Sequence, residues 1–233
     1  MHTAIVLAGG SGSRVRREVN KVYLPVGERP LLSYSLAAFA AFEPVERLIV
    51  VIRPEDRARA VDVLERVGVS ATLVPGGPTR HASEAAGIDA VDAPADALVA
   101  IHDGARPFLT LELLERLFST AARHGGAVPG LPIEGPLERI GADGMLRPVD
   151  TSRLRRMQTP QVFRAGPLRE AYHRAGDVGF EGVDTAETVG RFSDLDVRVV
   201  PGDPANLKVT FVEDFFTAED LARRWSPKGW TSR

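Results

Sequence analysis

Cysteine is absent from this chain of 233 residues, so neither a disulfide framework nor a thiolate metal centre is possible. Charge of one sign is missing too. The 29 Lys and Arg against 31 Asp and Glu leave a net −2, and without a basic block there is no electrostatic case for a nucleic-acid partner. No apolar run approaches the roughly 20 residues that span a bilayer, and the N-terminus lacks a basic stretch followed by an apolar core. The expectation is a soluble cytoplasmic protein with no membrane partner. The five histidines form no His-x-x-x-His or similar pair, which leaves oxygen-bound Mg2+, carried in with phosphates, as the metal to expect. What remains is ordinary globular usage, 44% apolar and 26% charged, in a length that suits one sizeable core.

One dense feature stands out. The stretch from Ile5 to Lys21, IVLAGGSGSRVRREVNK, runs an apolar strand into a glycine-rich loop, passes Arg14 and then reaches Lys21. Gly9, Gly10 and Gly12 remove side chains that would hold a backbone away from phosphates. Successive N–H groups can then donate to anionic oxygens, while Arg14 and Lys21 supply fixed positive charge. A nucleotide is the expected ligand. A Walker loop is excluded because its glycine, four residues and Gly-Lys-Ser/Thr do not occur in order. A dinucleotide fingerprint fails as well, since Val15 stands where a third small residue is needed. The run Leu-Ala-Gly-Gly-x-Gly-x-Arg with a lysine downstream instead resembles the signature of sugar-nucleotide pyrophosphorylases and cytidylyltransferases. The plain alternative, a glycine turn with solvated basic residues, applies to Arg16 and Arg17.

Short apolar runs alternate with segments of helical period. Leu48 to Ile52, Ala71 to Val74 and Leu98 to Ile101 read as strands; Leu31 to Phe42, Glu55 to Val67 and Ala82 to Val91 read as helices. The alternation predicts an α/β fold with a mainly parallel sheet and helices on both faces. Ligands of such sheets bind at the carboxyl ends of the strands, so the loops at Gly9, Gly76 and Asp103 should converge. Residues from about Pro132 to Met157 break the rhythm, and Arg139 to Arg147 with Ala142-Asp143-Gly144 at its centre reads as a hairpin; a protruding β-arm is the natural interpretation. Beyond it, Ala165 to Arg174 and Thr185 to Arg191 read as helices, Val197 to Val200 and Leu207 to Thr210 as strands, and Glu213 to Trp225 as a closing helix. One domain is expected over residues 1–225, with 132–157 as the arm and 226–233 as a flexible tail.

Three further groups carry chemistry. In His102-Asp103-Gly104-Ala105-Arg106-Pro107 an acid precedes a base by three residues after a strand; the aspartate can accept from hydroxyls or reach Mg2+, and the arginine can fork onto a phosphate. In Gly76-Gly77-Pro78-Thr79-Arg80-His81-Ala82-Ser83, Gly77 can bring backbone against a base edge, with Ser83 near a helix start to hydrogen-bond a pyrimidine. Lys208 sits in the apolar run Asn206 to Thr210, where an unpaired buried ammonium is costly: it either points outward, the commoner arrangement, or faces an anion in the cleft. Arg147, Arg153, Arg155 and Arg156 form a local cluster that suits a small anion.

Together, LAGGSGSR with Lys21, GGPTRHAS, HDGARP, QTPQVF and NLKVT stand in the order and approximate spacing of the 2-C-methyl-D-erythritol 4-phosphate cytidylyltransferase family. Over about residues 3 to 224 the chain resembles that family and its relative, ribitol-5-phosphate cytidylyltransferase. The resemblance implies a Rossmann-like domain of nucleotide-diphospho-sugar transferase type, cytidylyl transfer from CTP to an alditol phosphate with release of pyrophosphate, and Mg2+ bridging the triphosphate. It also implies a homodimer whose β-arm reaches over the neighbouring active site. By motif matching, Arg14 and Lys21 stabilise charge on the CTP phosphates. Ala8, Gly9, Gly77, Ser83 and Gly104 contact cytosine and ribose, alongside Gly10 and Gly12 of the loop. Asp103 and Arg106 engage the alditol, and Lys208 orients the attacking phosphate.

The departures from the family pattern fall on the substrate side. The arginine that holds the alditol phosphate falls at Thr151, with Arg153 two residues later; the arm threonine falls at Pro136 and another substrate-side threonine at Val183. Asn20 and Val22, which flank Lys21, are expected to matter less. Three readings follow: a methylerythritol enzyme in which Arg153 replaces the missing cation, a cytidylyltransferase for another alditol phosphate such as ribitol 5-phosphate, or a nucleotide-binding protein that has lost transfer. Retention of Arg14, Lys21, Asp103, Arg106 and Lys208 speaks against the last.

Overall fold

A computed structural model describes residues 2–10 and 19–230, and in it the expected alternation of strands and helices is realised. Strand β1 (His2–Leu7) ends at the glycine loop; after a single 3-10 turn at Lys21–Tyr23, the small ladder β2 (Pro25–Val26) and β3 (Arg29–Pro30) leads into α1 (Leu31–Ala40). There follow β4 (Val45–Ile52), α2 (Arg57–Val67), β5 (Thr72–Pro75), α3 (Arg80–Asp89), β6 (Leu98–Asp103), α4 (Leu111–His124) and β7 (Gly125–Pro132). The irregular segment holds β8 (Glu138–Ile140) and β9 (Leu146–Pro148), and the chain returns through β10 (Arg155–Met157), β11 (Gln161–Arg164), α5 (Ala165–Asp177), α6 (Thr185–Phe192), β12 (Asp196–Pro201) and α7 (Val212–Ala222). A last ladder joins β13 (Trp225–Ser226) to β14 (Gly229–Trp230).

Eight strands form one sheet. β5, β4, β1 and β6 lie side by side and parallel. β11 joins β6 antiparallel, β7 joins β11 antiparallel, and β12 runs parallel beside β7. Side chains alternate across the sheet: Ala4 and Val6 of β1 face a core built with α1, α2, α4 and α7, whereas Ile5 faces the one built with α3, α5 and α6. Both faces are therefore covered, as a parallel sheet requires. Among the described residues no helix is long and apolar enough to cross a membrane.

Four stretches differ from expectation or escape it. Leu207 to Thr210 is an extended connection and not a strand: Val209 N–H donates to Ala105 O at 2.8 Å outside any ladder, and the side-chain bonds Lys208 Nζ to Asp103 and Thr210 N–H to Asp214 Oδ2 hold the segment. Within the expected tail, Ser226 to Trp230 carry structure, since Trp225 and Trp230 pair across the β13–β14 ladder and both rings lie against Phe108; residues 231–233 lie outside the described residues. Helix α4 carries its own signals in Thr110, whose side chain accepts from Leu113 N–H, and in Gly125, which closes it at φ +100°. β7 reads GGAVPGLP, turn chemistry by composition, yet it is a buried inner strand. Its glycines answer to crowding: a Cβ on Gly126 would sit 2.9 Å from the Phe163 ring, and one on Gly130 would sit 3.0 Å from both Arg155 Cβ and Val199 Cγ1.

The hairpin β8–β9 forms with Arg139 opposite Arg147 and with Gly144 at φ +76° in its turn. Its apolar side chains Ile140, Met145 and Leu146 are 61–70% exposed.

Candidate active site

Leu7 and Asp103 are register partners at the carboxyl ends of β1 and β6, so the loops that leave these strands start side by side. The loop after β5 meets them, and a cleft of about 580 Å3 opens between Gly9, Lys21, Gly77, Ser83, Asp103 and Lys208. Gly76 also approaches: a Cβ there would lie 2.9 Å from Ser83 Oγ.

The wall on the β1 and β5 side is mainly backbone. Thr79 caps α3 by accepting from Ala82 N–H, and this turns the Gly76–Gly77 corner back toward Ser83, whose hydroxyl exchanges bonds of 3.2 and 3.3 Å with the Gly77 N–H and carbonyl. Gly77 is obligatory for that corner, since a Cβ would fall 2.5 Å from Ala82 Cβ. Lys21 opens the 3-10 turn, and Asn20 fixes the turn to β1: its Nδ2 donates to Ala8 O at 2.6 Å and its Oδ1 accepts from Val22 N–H at 3.3 Å. Asn20 is fully buried and thus matters more than its place beside the lysine suggests. Arg14 and Gly12 lie outside the described residues.

Two of the residues expected at the nucleotide also hold the fold together. Ala8 is buried, gives its N–H to Val51 O and lends its carbonyl to Asn20. Gly104 donates to Leu7 O at 2.9 Å, and a Cβ would press on that same oxygen, so glycine is there to let β1 and the Asp103 loop close up.

The opposite wall is ionic. Asp103 Oδ1 takes Arg80 Nε and NH2 at 3.3 and 3.2 Å, Oδ2 takes Lys208 Nζ at 2.8 Å, and Arg106 Nε stands 3.8 Å from Oδ2. Burial alone would push the Asp103 pKa up, but Arg80, Lys208 and Arg106 outweigh it and hold the carboxyl far below the usual range. Arg106 is anchored through NH1 on Asn206 O, and its buried Nε has no hydrogen-bond partner among the described residues. Asn206 is itself held to Thr159 O at 2.8 Å and Gln158 reaches Asn206 O at 3.0 Å, which explains how an irregular segment delivers Lys208 to the cleft.

His102 is structural. Its Nε2 lies 2.8 Å from Arg106 O and so carries the proton, leaving Nδ1 to accept from the Thr159 hydroxyl at 3.1 Å; Thr159 Oγ1 accepts in turn from Asp103 N–H at 2.9 Å. Burial pushes its pKa down to about 4, so the ring is neutral and both nitrogens are committed. Arg153 is not brought to the cleft: it lines a separate groove of about 560 Å3 with Leu131, Arg155 and Val199.

Sequence reasoning misses Arg80 and Glu84 as a unit. Glu84 is buried; its Oε1 accepts from Arg80 NH1 at 2.7 Å and from Thr185 Oγ1, and its Oε2 from Tyr172 OH at 2.8 Å. Their spacing of four residues is the available signal, but on a helix it reads as a surface pair.

Glycine backbone facing a lysine on one side and a carboxylate ringed by cations on the other, at the carboxyl end of a parallel sheet, is the architecture of an α/β nucleotidyltransferase. Comparison with known proteins narrows the class. Residues 2–224 match the family model described as 2-C-methyl-D-erythritol 4-phosphate cytidylyltransferase, and the chain belongs to that family. It is 38% identical over 218 residues to the protein of that name from Cereibacter sphaeroides, covering 94% of this chain and 95% of the relative. It is 34% identical over 222 residues to that of Geobacillus kaustophilus, covering 94% and 96%. Among solved structures, 4-diphosphocytidyl-2C-methyl-D-erythritol synthase from Anaerococcus prevotii superposes with TM-score 0.84 at 28% identity, covering 95% of this chain and 98% of that one. The Thermus thermophilus cytidylyltransferase gives 0.76 at 32%, covering 96% and 100%.

Proposed function

We propose a division of labour in the cleft for the family reaction, transfer of the cytidylyl group from CTP to 2-C-methyl-D-erythritol 4-phosphate. The products are 4-diphosphocytidyl-2-C-methyl-D-erythritol and pyrophosphate. Gly9, Gly10 and Gly77 with Ser83 receive cytosine and ribose, where the absence of side chains admits a flat base. Lys21, with Arg14, neutralises the triphosphate; Asp103 and Arg106 receive the alditol hydroxyls, and Lys208 orients its phosphate. An oxygen of that phosphate forms the new bond to the α-phosphorus while the bond to the β-phosphate oxygen breaks, and pyrophosphate leaves with the electron pair. A phosphate dianion is already a nucleophile, so no base is needed and the protein's work is positioning and charge neutralisation. The observation that carries this reading is Lys208 Nζ, 2.8 Å from Asp103 Oδ2 and 41% exposed toward the cleft that Lys21 also lines.

Mg2+ fits as a companion of the triphosphate. Among the described residues no group of three His, Asp or Glu can hold it, and Asp103, the one carboxylate lining the cleft, is shared by Arg80 and Lys208. When bound, the ion draws charge from the phosphate oxygens. We assign the exposed hairpin β8–β9 to contact with a second copy of the chain, which supports a homodimer in which Arg153 serves the partner's cleft, and we assign the reaction to the cytoplasm. Pyrophosphate release from CTP, Mg2+ and methylerythritol phosphate tests the reading; no release with this substrate, but release with ribitol 5-phosphate, would move the substrate assignment.

A further inference from the structure

Glu84 has no part in the division of labour above, and its setting is unusual. It lies on the buried face of α3 with His81, Gly87 and Ile88, and its ionisable side chain is 0% exposed. Three donors from three helices converge on it: Arg80 of α3, Tyr172 of α5 and Thr185 of α6. A buried ion pair is on average no more stabilising than apolar side chains of the same volume, so core stability alone does not account for it.

Arg80 is where the network meets the cleft. Its NH1 bonds both Glu84 Oε1 and, at 3.3 Å, Val183 O, while Nε and NH2 grip Asp103 Oδ1. With Arg80 on Oδ1, Lys208 is confined to Oδ2, and the carboxylate has one orientation. The same guanidinium pins the segment before α6, which is tied to α3 again by Thr79 to Glu181 at 3.2 Å and by Gly182 N–H to His81 Nδ1 at 3.3 Å. Besides Glu84, its hydrogen-bond partners are Asp103 of the ionic wall and the Val183 carbonyl before α6.

We infer that Glu84 is a positioning residue of this active site: from beneath the cleft it anchors Arg80, and through Arg80 it sets the Asp103 carboxylate and the Val183 carbonyl for the alditol phosphate. The inference rests on the assignment of that wall to the alditol. Removal of the Glu84 charge leaves Arg80 with one anionic partner instead of two, free to swing out with Asp103 or toward an incoming phosphate. The nucleotide wall meets the network only through α3 and its cap Thr79, which bonds Glu181.

Glu84→Gln keeps the volume and an acceptor for Arg80 but removes the charge; Tyr172→Phe removes one support and keeps the ring that stacks on His81. Assayed near pH 8, where Glu84 is ionised, the expected result is a rise of about tenfold in the KM for methylerythritol phosphate with Glu84→Gln and a smaller rise with Tyr172→Phe, with the KM for CTP within about twofold of wild type. An unchanged alditol KM in folded Glu84→Gln protein overturns the inference, as does an equal rise in both KM values, which marks general loosening. Should Glu84→Gln fail to fold, Tyr172→Phe decides by the same criterion. A readout independent of turnover is proton exchange at Arg80 Nε–H by nitrogen-15 NMR: slow in wild type and fast in the variant if Glu84 anchors the guanidinium, equal in both if it does not. Wild-type protein that releases no pyrophosphate would sink the substrate assignment, while this exchange would still decide the role of Glu84.

Discussion

The two walls of the cleft are made of different materials. One, Lys21 apart, is mainly backbone brought close by glycine at 9, 10 and 77, with the Ser83 hydroxyl against it; the other is a network in which Arg80, Glu84, Asp103, Arg106 and Lys208 are linked by contacts of 3.8 Å or less. The first recognises by how near a ligand can come, so its failures are steric and indifferent to pH. The second recognises by charge, and its failures depend on protonation and on partners far apart in the chain. A transferase that joins two phosphate-bearing molecules can use both: a flat base needs room, and an alditol phosphate needs fixed countercharge.

The largest effect should come from the cations proposed to neutralise the transition state. Lys21→Ala and Arg14→Ala are each expected to lower kcat by about two to three orders of magnitude while CTP affinity changes little, read by pyrophosphate release against CTP titration. Equal losses in both would make Lys21 a ground-state binder instead. Asp103→Asn comes next. It leaves Arg80, Arg106 and Lys208 mutually repelling around a neutral amide, and kcat/KM for methylerythritol phosphate should fall about a hundredfold with CTP binding retained; a fall confined to CTP would reverse the assignment of the two walls.

Gly77→Ala probes the other material. The new Cβ would meet Ala82 Cβ at 2.5 Å, so the corner must shift, at a cost of about 1–3 kcal/mol in stability and with a raised KM for CTP at every pH. Denaturant unfolding and the KM for CTP check it, and a pH-dependent response would contradict the steric account.

The ionic wall should respond to pH in a defined direction. Burial, opposed by Arg80, Thr185 and Tyr172 and aided by the Asp103 charge, pushes the Glu84 pKa up from 4.5 to about 7. The folded protein therefore holds this proton over a range in which the unfolded chain has lost it. The group destabilises the fold progressively as pH rises from about 4.5 to 7 and fully above that, by an amount on the order of 3 kcal/mol. Glu84→Gln lacks that dependence, so its unfolding free energy relative to wild type should climb between pH 5 and 8. Asp103 acts oppositely, since its depressed pKa withdraws stability only as pH falls below its ordinary carboxylate value, which keeps the two windows apart. A flat difference between variant and wild type would mean that Glu84 titrates like an exposed carboxylate.

The contrast also decides what can be read from the chain before folding. The backbone wall is legible because its elements are local: an apolar run, three glycines and a capped helix lie within short stretches, and their spacing states the chemistry. The ionic wall is only half legible. Asp103 and Arg106 share a hexapeptide, but Lys208 reaches them from an irregular segment held by Asn206 and Gln158, and Glu84 owes its role to Tyr172 and Thr185, which no periodicity connects to it. In the fold, β1 and β4 declare themselves by apolar runs, whereas β7 hides behind Gly and Pro because its neighbours leave no room for side chains. Asn20 hides likewise, being one polar residue whose burial only the packing of Ala8 and Val22 determines.

The smallest expected effect concerns Arg153, and it is informative for that reason. In one chain this residue lines a groove with Leu131 and Val199 instead of the cleft, so an Arg153→Ala variant has no route to the alditol phosphate except through a second copy. If the hairpin reaches a partner's cleft, the variant should raise the KM for methylerythritol phosphate about threefold at concentrations where chains associate, and leave the KM for CTP alone. Mixing Arg153→Ala chains with Lys208→Ala chains sharpens the point. In a mixed pair, one cleft keeps its own Lys208 and receives an intact Arg153 from its neighbour, so with methylerythritol phosphate well below its KM the activity per pair should exceed the average of the two pure variants. Activity that only averages would confine Arg153 to its own chain, and the phosphate would then have to be held by the ionic wall alone.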